Sequence, residues 1–401
     1  MKYFLNSMIC RPITTTLVLL SLFVTGLLSH PLLLAERRAT SYVEYCSLNA
    51  TDPIACYANE LRKETARKGY THGFLLLSIL ERYDPRVVRD CHFLAHGIGH
   101  GTYERNPGGW GEAFRAIPST CSNGAAHGMF ERADDDGRVG KLDANTIRSM
   151  CGASEYNDCA HIAGHYVLIE NIGNVRAAIA TCQLLDGRME RRCYQGVFME
   201  NVLPIAEHFV DSPERRRELR AKEYSLIELC RTVDGRAQAA CWQTIPLAFS
   251  RTTSLPETLA VCEQAPDDRS RLLCKNYTAF LYTLGGRETL ESSYATLCTE
   301  KITGRDPGFA FLCPSIVAAS SAERYPGETP AVIEFCSKLD GPIDRTMCFA
   351  GIGRAIQTMN EYDRKASVRA CAGAPRALQT TCAGLNPWAG GTDARLSHFP
   401  L

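Results

Sequence analysis

VRAAIATCQLLDGRMERRCYQGVFMENVL, residues 175–203, reads as two helices joined by a turn and tied by two cysteines. A short apolar helix ends near Cys182, Asp186-Gly187 supplies the turn, and a second helix carries Cys193 in its first turns. The same grammar recurs in Tyr224–Arg251, Pro256–Gly285, Ala331–Ile356 and Ala366–Leu385. The cysteine pairs are Cys182/Cys193, Cys230/Cys241, Cys262/Cys274, Cys298/Cys313, Cys336/Cys348 and Cys371/Cys382, and successive first members lie 48, 32, 36, 38 and 35 residues apart. A period in that range belongs to stacked helical hairpins, whose apolar faces are buried only against their neighbours.

Working outward, Cys46/Cys56, with Asp52-Pro53 between them, and Cys151/Cys159 extend the pattern toward the N-terminus. A disulfide across each hairpin would close a loop of about a dozen residues, a contribution on the order of 3 kcal/mol in the chain-entropy model. The pattern breaks once, at Cys91 and Cys121, thirty residues apart. In period and cysteine placement the array resembles the class of helical-hairpin repeat proteins that staple each hairpin with a cysteine pair; no function is carried over from that resemblance. The expected fold class is all-α: disulfide-stapled helical-hairpin repeats, α-solenoid-like, behind an N-terminal membrane anchor.

The break coincides with a concentration of histidine. In DCHFLAHGIGHGTYE, residues 90–104, His92, His96, His100 and Glu104 recur every four residues and share one helical face. His127 with Glu131, and His161 with His165, follow. Six of the ten histidines fall between residues 92 and 165, where an even spread would put about two. Imidazoles four apart on a helix can share one metal ion. His96-Gly-Ile-Gly-His100 and His161-Ile-Ala-Gly-His165 lack the glutamate of a zincin protease, and no Cys-x-x-Cys-His occurs for covalent haem. His92 and His100 are about 12 Å apart along the axis, too far to hold one ion together. The ligand pool is therefore His92, His96, His100, His127, His161 and His165, with Glu104 and Glu131 as ligands or acid–base partners. The cofactor expected is a divalent transition metal: copper, zinc or iron. Glu170 and Glu200, in matching Glu-Asn pairs, read as repeat features ending their helices. Glycines beside the histidines (Gly97, Gly99, Gly101, Gly128, Gly164) are poor helix formers by about 1 kcal/mol each. They imply either close helix approach or room for a ligand.

Composition bounds the rest. The chain has 401 residues, a formal net charge of zero and 45% apolar residues, which is globular and gives no electrostatic case for nucleic acid. Lys2 and Arg11 precede an apolar run that extends to residue 35, long enough to span a bilayer as an uncleaved anchor or to serve as a signal peptide. Eighteen of the 19 cysteines follow it, an even set that belongs in an oxidising compartment: periplasm, cell surface or secretory lumen. The expected organisation is 1–38 signal-anchor or signal peptide, 39–210 a histidine-rich helical domain, 211–386 cysteine-paired repeats, and 387–401 a tail. The membrane is the expected partner of residues 13–35, and a protein partner is expected on the concave face of the C-terminal repeats. The functional expectation is an extracytoplasmic, membrane-anchored, metal-dependent enzyme, an oxidoreductase or hydrolase. The alternatives are a non-catalytic metal-binding or delivery protein and an interaction scaffold.

Overall fold

Helix starts in this chain follow local capping chemistry. Asp52 accepts hydrogen bonds from the Ile54 and Ala55 amides, both at 3.0 Å, with Pro53 in the first helical position. Asp143 accepts from the Thr146 amide at 2.9 Å and Asn174 from the Ala177 amide at 3.2 Å. Each satisfies an amide that the first helical turn leaves open. The computed structural model describes residues 31–118, 120–152, 159–202, 226–249, 253–285, 289–298, 306–324, 329–359 and 364–384. All regular elements among the described residues are helices.

Two compact units are present, Met1–Pro107 and Gly108–Leu401. The first contains α1 (Pro31–Asn49), α2 (Pro53–Lys68), α3 (Tyr70–Tyr83), α4 (Pro85–Arg89) and α5 (Cys91–Arg105). Ala35, Ala39, Tyr42 and Cys46 are buried on one stripe of α1, which packs against α3. Leu32, Leu33 and Leu34 are exposed. Helix α1 thus takes in the last residues of the apolar run read over 13–35; residues 1–30 lie outside the described residues. No helix among the described residues is long and apolar enough to cross a membrane.

Fully buried Glu64 ties α1 to α2, accepting from the Tyr42 hydroxyl at 2.9 Å and pairing with Arg38 at 3.3 Å and with Arg67. Burial alone would raise its carboxyl pKa, but the Tyr42 hydrogen bond and the charges of Arg67, Lys68 and Arg38 hold it below the usual range. Glu81 on α3 is the opposite case: burial pushes its pKa from 4.5 to about 7. The unfolded chain ionises this group first, so its contribution is complete below pH 4.5 and is lost as the pH rises through about 7. Urea titrations of the wild type and Glu81→Gln at pH 4.5 and pH 8 are expected to differ in pH slope by on the order of 3 kcal/mol, with the variant flatter.

The second unit begins with α6 (Trp110–Ala116), α7 (Gly124–Asp135), α8 (Ala144–Cys151), α9 (Cys159–Glu170), α10 (Val175–Gln183) and α11 (Gly187–Val202). Residues 226–232 (α12) are helical and precede α13 (Gly235–Phe249). Then come α14 (Leu255–Cys262), α15 (Asp268–Gly285), α16 (Leu290–Leu297), α17 (Pro307–Arg324), α18 (Thr329–Lys338), α19 (Pro342–Met359), α20 (Arg364–Ala370) and α21 (Gln379–Cys382). The second helices of successive hairpins pack in series: α9 on α11, α11 on α13, α13 on α15, α15 on α17 and α17 on α19. This is the stacked-hairpin array that the cysteine period implies.

The staples fall where the spacing put them. Disulfides join Cys46–Cys56, Cys151–Cys159, Cys182–Cys193, Cys230–Cys241, Cys262–Cys274, Cys298–Cys313, Cys336–Cys348 and Cys371–Cys382, and Cys91 and Cys121, where the spacing breaks, are disulfide-bonded too. Such a framework fits an oxidising, extracytoplasmic environment.

Candidate metal centre

Helix α9 is apolar around its whole circumference, and every residue from Cys159 to Leu168 is buried. A helix of this kind lies inside a core. Its two histidines are the exceptions in polarity, and burying them demands partners. His161 and His165 stack one turn apart with ring centroids at 4.9 Å and their Nε2 atoms 3.2 Å from each other. His127 reaches the same place from α7, its ring centroid 5.7 Å from His161 and 5.2 Å from His165. One ring nitrogen from each of the three lies within 4.8 Å of the others. The residues are 5%, 8% and 4% exposed for His127, His161 and His165, so the cluster is interior.

A fourth group comes from α11, and two glycines explain how. A methyl group at Gly196 would overlap the His161 carbonyl oxygen, and one at Gly164 would overlap the Cys193 carbonyl oxygen. The backbones of α9 and α11 are therefore in direct contact, with Gly164 and Gly196 at the crossing. One turn beyond Gly196, on the same face, Glu200 crosses to His165, its Oε2 lying 3.0 Å from Nδ1. This corrects the reading of Glu200 as a helix-ending repeat feature. Glu200 shares the face of Gly196, four residues earlier, and that is the face of α11 that meets α9. Glu170 does serve the scaffold: both its carboxylate oxygens accept the Leu142 amide at 3.1 Å.

The Glu200 carboxylate fixes the chemistry of His165. With Nδ1–H donating to Glu200, Nε2 carries the lone pair. That lone pair faces the Nε2 of His161 at 3.2 Å. Two lone pairs at this distance repel, so either a proton or a cation stands between them. Two imidazole ligands on one tetrahedral ion, each bonded at about 2.05 Å, would be about 3.3 Å apart. A carboxylate holding the far nitrogen of a ligating histidine is the usual outer shell of a protein metal site. The donor set therefore fits a transition ion on three nitrogens, with a fourth position left for another ligand. Glu200→Gln is expected to weaken metal affinity by about 10–100-fold, read by competition with a chromogenic chelator; an unchanged affinity would remove Glu200 from the site.

The first unit holds a similar pair. On α5 the His92 and His96 Nε2 atoms are 3.2 Å apart, with ring centroids at 4.9 Å, and Phe93 stacks on His96. The glycines of this helix also serve close approach, since methyl groups at Gly97 and Gly101 would overlap the Ala58 and Arg62 carbonyl oxygens of α2. His100 is half-buried one turn further on, and Glu104 is held by Arg62 at 3.0 Å. In the second unit Glu131 lies one turn beyond His127 on α7, half-buried. Burial, and then the negative charge of Glu131, raise the phenol pKa of Tyr166 well above its usual value. The backbone enters α7 through Cys121, Ser122 and Asn123, all at positive φ (57°, 53° and 63°), a conformation that costs non-glycine residues roughly 1–2 kcal/mol each.

Beyond the histidines a polar line continues along the array. Gln195, at the position in its hairpin that His161 holds in the preceding one, donates through Nε2 to Gln243 Oε1 at 2.7 Å. Both glutamines are buried. The signal was in the sequence: the residue two after the second cysteine is His161, Gln195, Gln243 and Asn276 in consecutive hairpins. Asn276 is 5% exposed within α15. A cavity of about 810 Å³, lined by Trp110, Glu112, Arg115, Asn145, Ser149 and Met150 among others, includes none of the histidines.

No protein-family model matches this chain, and no curated protein or solved structure matches it.

Proposed function

We propose that this chain is an extracytoplasmic metal-binding protein whose ion is held by His127, His161 and His165, and that it is an enzyme acting through that ion. The observation that carries the reading is the His165–Glu200 contact of 3.0 Å beside three clustered, buried imidazoles. It orients one lone pair into the cluster, as a metal site requires. Zinc, copper or iron suits the donors. Three ligands leave a coordination position open, and the bound ion supplies Lewis-acid or one-electron chemistry there, the basis of a hydrolase or an oxidoreductase. Around it this chain's own residues orient the imidazoles and keep bulk water out.

The His92/His96 pair of the first unit supports wider use of histidine for metal, with His100 held in reserve on the same face. Glu104 and Glu131 remain proposed proton-handling groups. Attachment to a membrane through residues 13–35, and a protein partner on the C-terminal repeats, belong to the same proposal. Elemental mass spectrometry on untagged protein made in an oxidising compartment tests the core of it. About one equivalent of zinc, copper or iron per chain is expected. Its absence after reconstitution with each ion would leave the interaction-scaffold reading in place.

A further inference from the structure

The eight hairpin disulfides each keep at least one cysteine buried. Cys91 and Cys121 are disulfide-bonded outside that frame, and both are half-buried. Cys91 also differs in what stands beside its sulfur. Glu81, in the last turn of α3, places Oε1 3.4 Å from Cys91 Sγ. A disulfide sulfur has no hydrogen to donate, so the proton in this contact belongs to the carboxyl group. Burial is the sole cause that keeps that proton on Glu81 up to a pH of about 7. Charged and titratable groups on α3 and on the helices packed against it pair elsewhere. Arg82 and Tyr83 hold Glu36, and Arg38, Lys68 and His72 surround Glu64. Arg62 holds Glu104, Asp84 takes Arg86 and Tyr57, and His92 faces His96. Cys91 is the first residue of α5, a helix of 15 residues, whose positive end favours negative charge developing on that sulfur.

We propose that the disulfide at Cys91 is a redox site that exchanges with an external dithiol, the Glu81 carboxyl handing its proton to the Cys91 sulfur. A thiolate of the dithiol attacks the sulfur bonded to Cys91 Sγ and forms a mixed disulfide there. The original S–S bond breaks, its electron pair stays on Cys91, and Cys91 takes the proton from Glu81. The second thiol of the dithiol then attacks the mixed disulfide. The dithiol leaves as a disulfide and the protein is left with two thiols. Overall two electrons and two protons pass from the dithiol to the protein, the protons exchanging through solvent, which also reprotonates Glu81. Exposed disulfides are the exchangeable class, whereas buried ones such as the hairpin staples resist reduction. A positioned acid lowers the barrier by neutralising the leaving sulfur as the bond breaks.

The test uses the full, oxidised chain, treated briefly with dithiothreitol under native conditions between about pH 5.5 and pH 8.5. The reaction is quenched in acid, free thiols are alkylated, and peptide mass spectrometry reads each cysteine. Cys91 is expected to become labelled before any hairpin cysteine. Divided by the thiolate fraction of dithiothreitol, the wild-type rate at Cys91 should fall as the pH rises through about 7, where Glu81 gives up its proton. Glu81→Gln should lower that rate on the order of 100-fold at about pH 6, the low end for a positioned acid, and abolish the fall. Glu81→Asp, which keeps a proton on a shorter arm, should retain the fall at a reduced rate. A role in packing alone has the opposite sign, since loosening the contact would open the disulfide and speed its reduction. Hairpin cysteines labelled as fast as Cys91 overturn the proposal, as does a Glu81→Gln rate equal to or above the wild type at about pH 6. Far-ultraviolet circular dichroism establishes that each variant is folded. Should Glu81→Gln not fold, the wild-type profile carries the test, and a rate per thiolate that is level across pH 7 overturns the proposal.

Discussion

His165→Ala is expected to release the ion. The substitution removes the ligand whose lone pair Glu200 orients at 3.0 Å, and leaves that carboxylate, 8% exposed, without its imidazole partner. Two ligands remain of three. Loss of one first-contact ligand should exceed the roughly 10–100-fold penalty of losing an outer hydrogen bond, so the purified variant should carry less than about a tenth of the wild-type metal. His161→Ala should behave alike, since its Nε2 stands 3.2 Å from that of His165. Elemental analysis of both variants, with circular dichroism to establish folding, reads the result. Wild-type metal content in both would sink the centre as drawn. His208→Ala and His398→Ala, at histidines outside the 92–165 stretch of the sequence, should keep their metal.

Gly196→Ala should be among the most damaging single methyl additions in the chain. The new carbon would overlap a backbone oxygen, that of His161, and a backbone atom cannot swing aside as a side-chain tip can. Relief requires α9 and α11 to separate. Overpacking of this type costs about 1–3 kcal/mol and occasionally more. Separation also draws Glu200 away from His165, so metal affinity should fall with stability. Gly164→Ala, facing the Cys193 carbonyl oxygen, should reproduce both effects. Gly173→Ala is the contrast: it sits at φ 74° in open space and should cost stability without touching metal. Urea unfolding and chelator competition on the three variants separate these outcomes.

The hairpin array was legible because its signal is local. Each cysteine pair brackets one turn, so the spacing that names Cys182 and Cys193 as partners needs no knowledge of neighbouring hairpins. His161 and His165 were legible for the same reason, being four apart on one helix. Glu200 was not, because its role depends on which face of α11 meets α9, and that is decided by the Gly164–Gly196 crossing between two helices. The glycines illustrate the limit well. Their cost to helix formation was readable, but both close approach and space for a ligand would explain it, and only the overlap with opposing carbonyl oxygens decides for close approach. Gln243 was readable in principle, by lining up the residue two after each second cysteine, yet only the 2.7 Å bond from Gln195 gives that column of residues a meaning.

The eight hairpin disulfides each join cysteines that are neighbours in the sequence, with separations from 8 to 15 residues. Even eight cysteines permit about 105 pairings, and a chain with 19 offers vastly more. A polypeptide emerging N-terminus first from a ribosome or a translocation channel meets each cysteine's partner before the next pair arrives. The order of emergence thus does the sorting that a disulfide isomerase performs for proteins with interleaved bonds, and each hairpin can be locked while the remainder of the chain is still in transit.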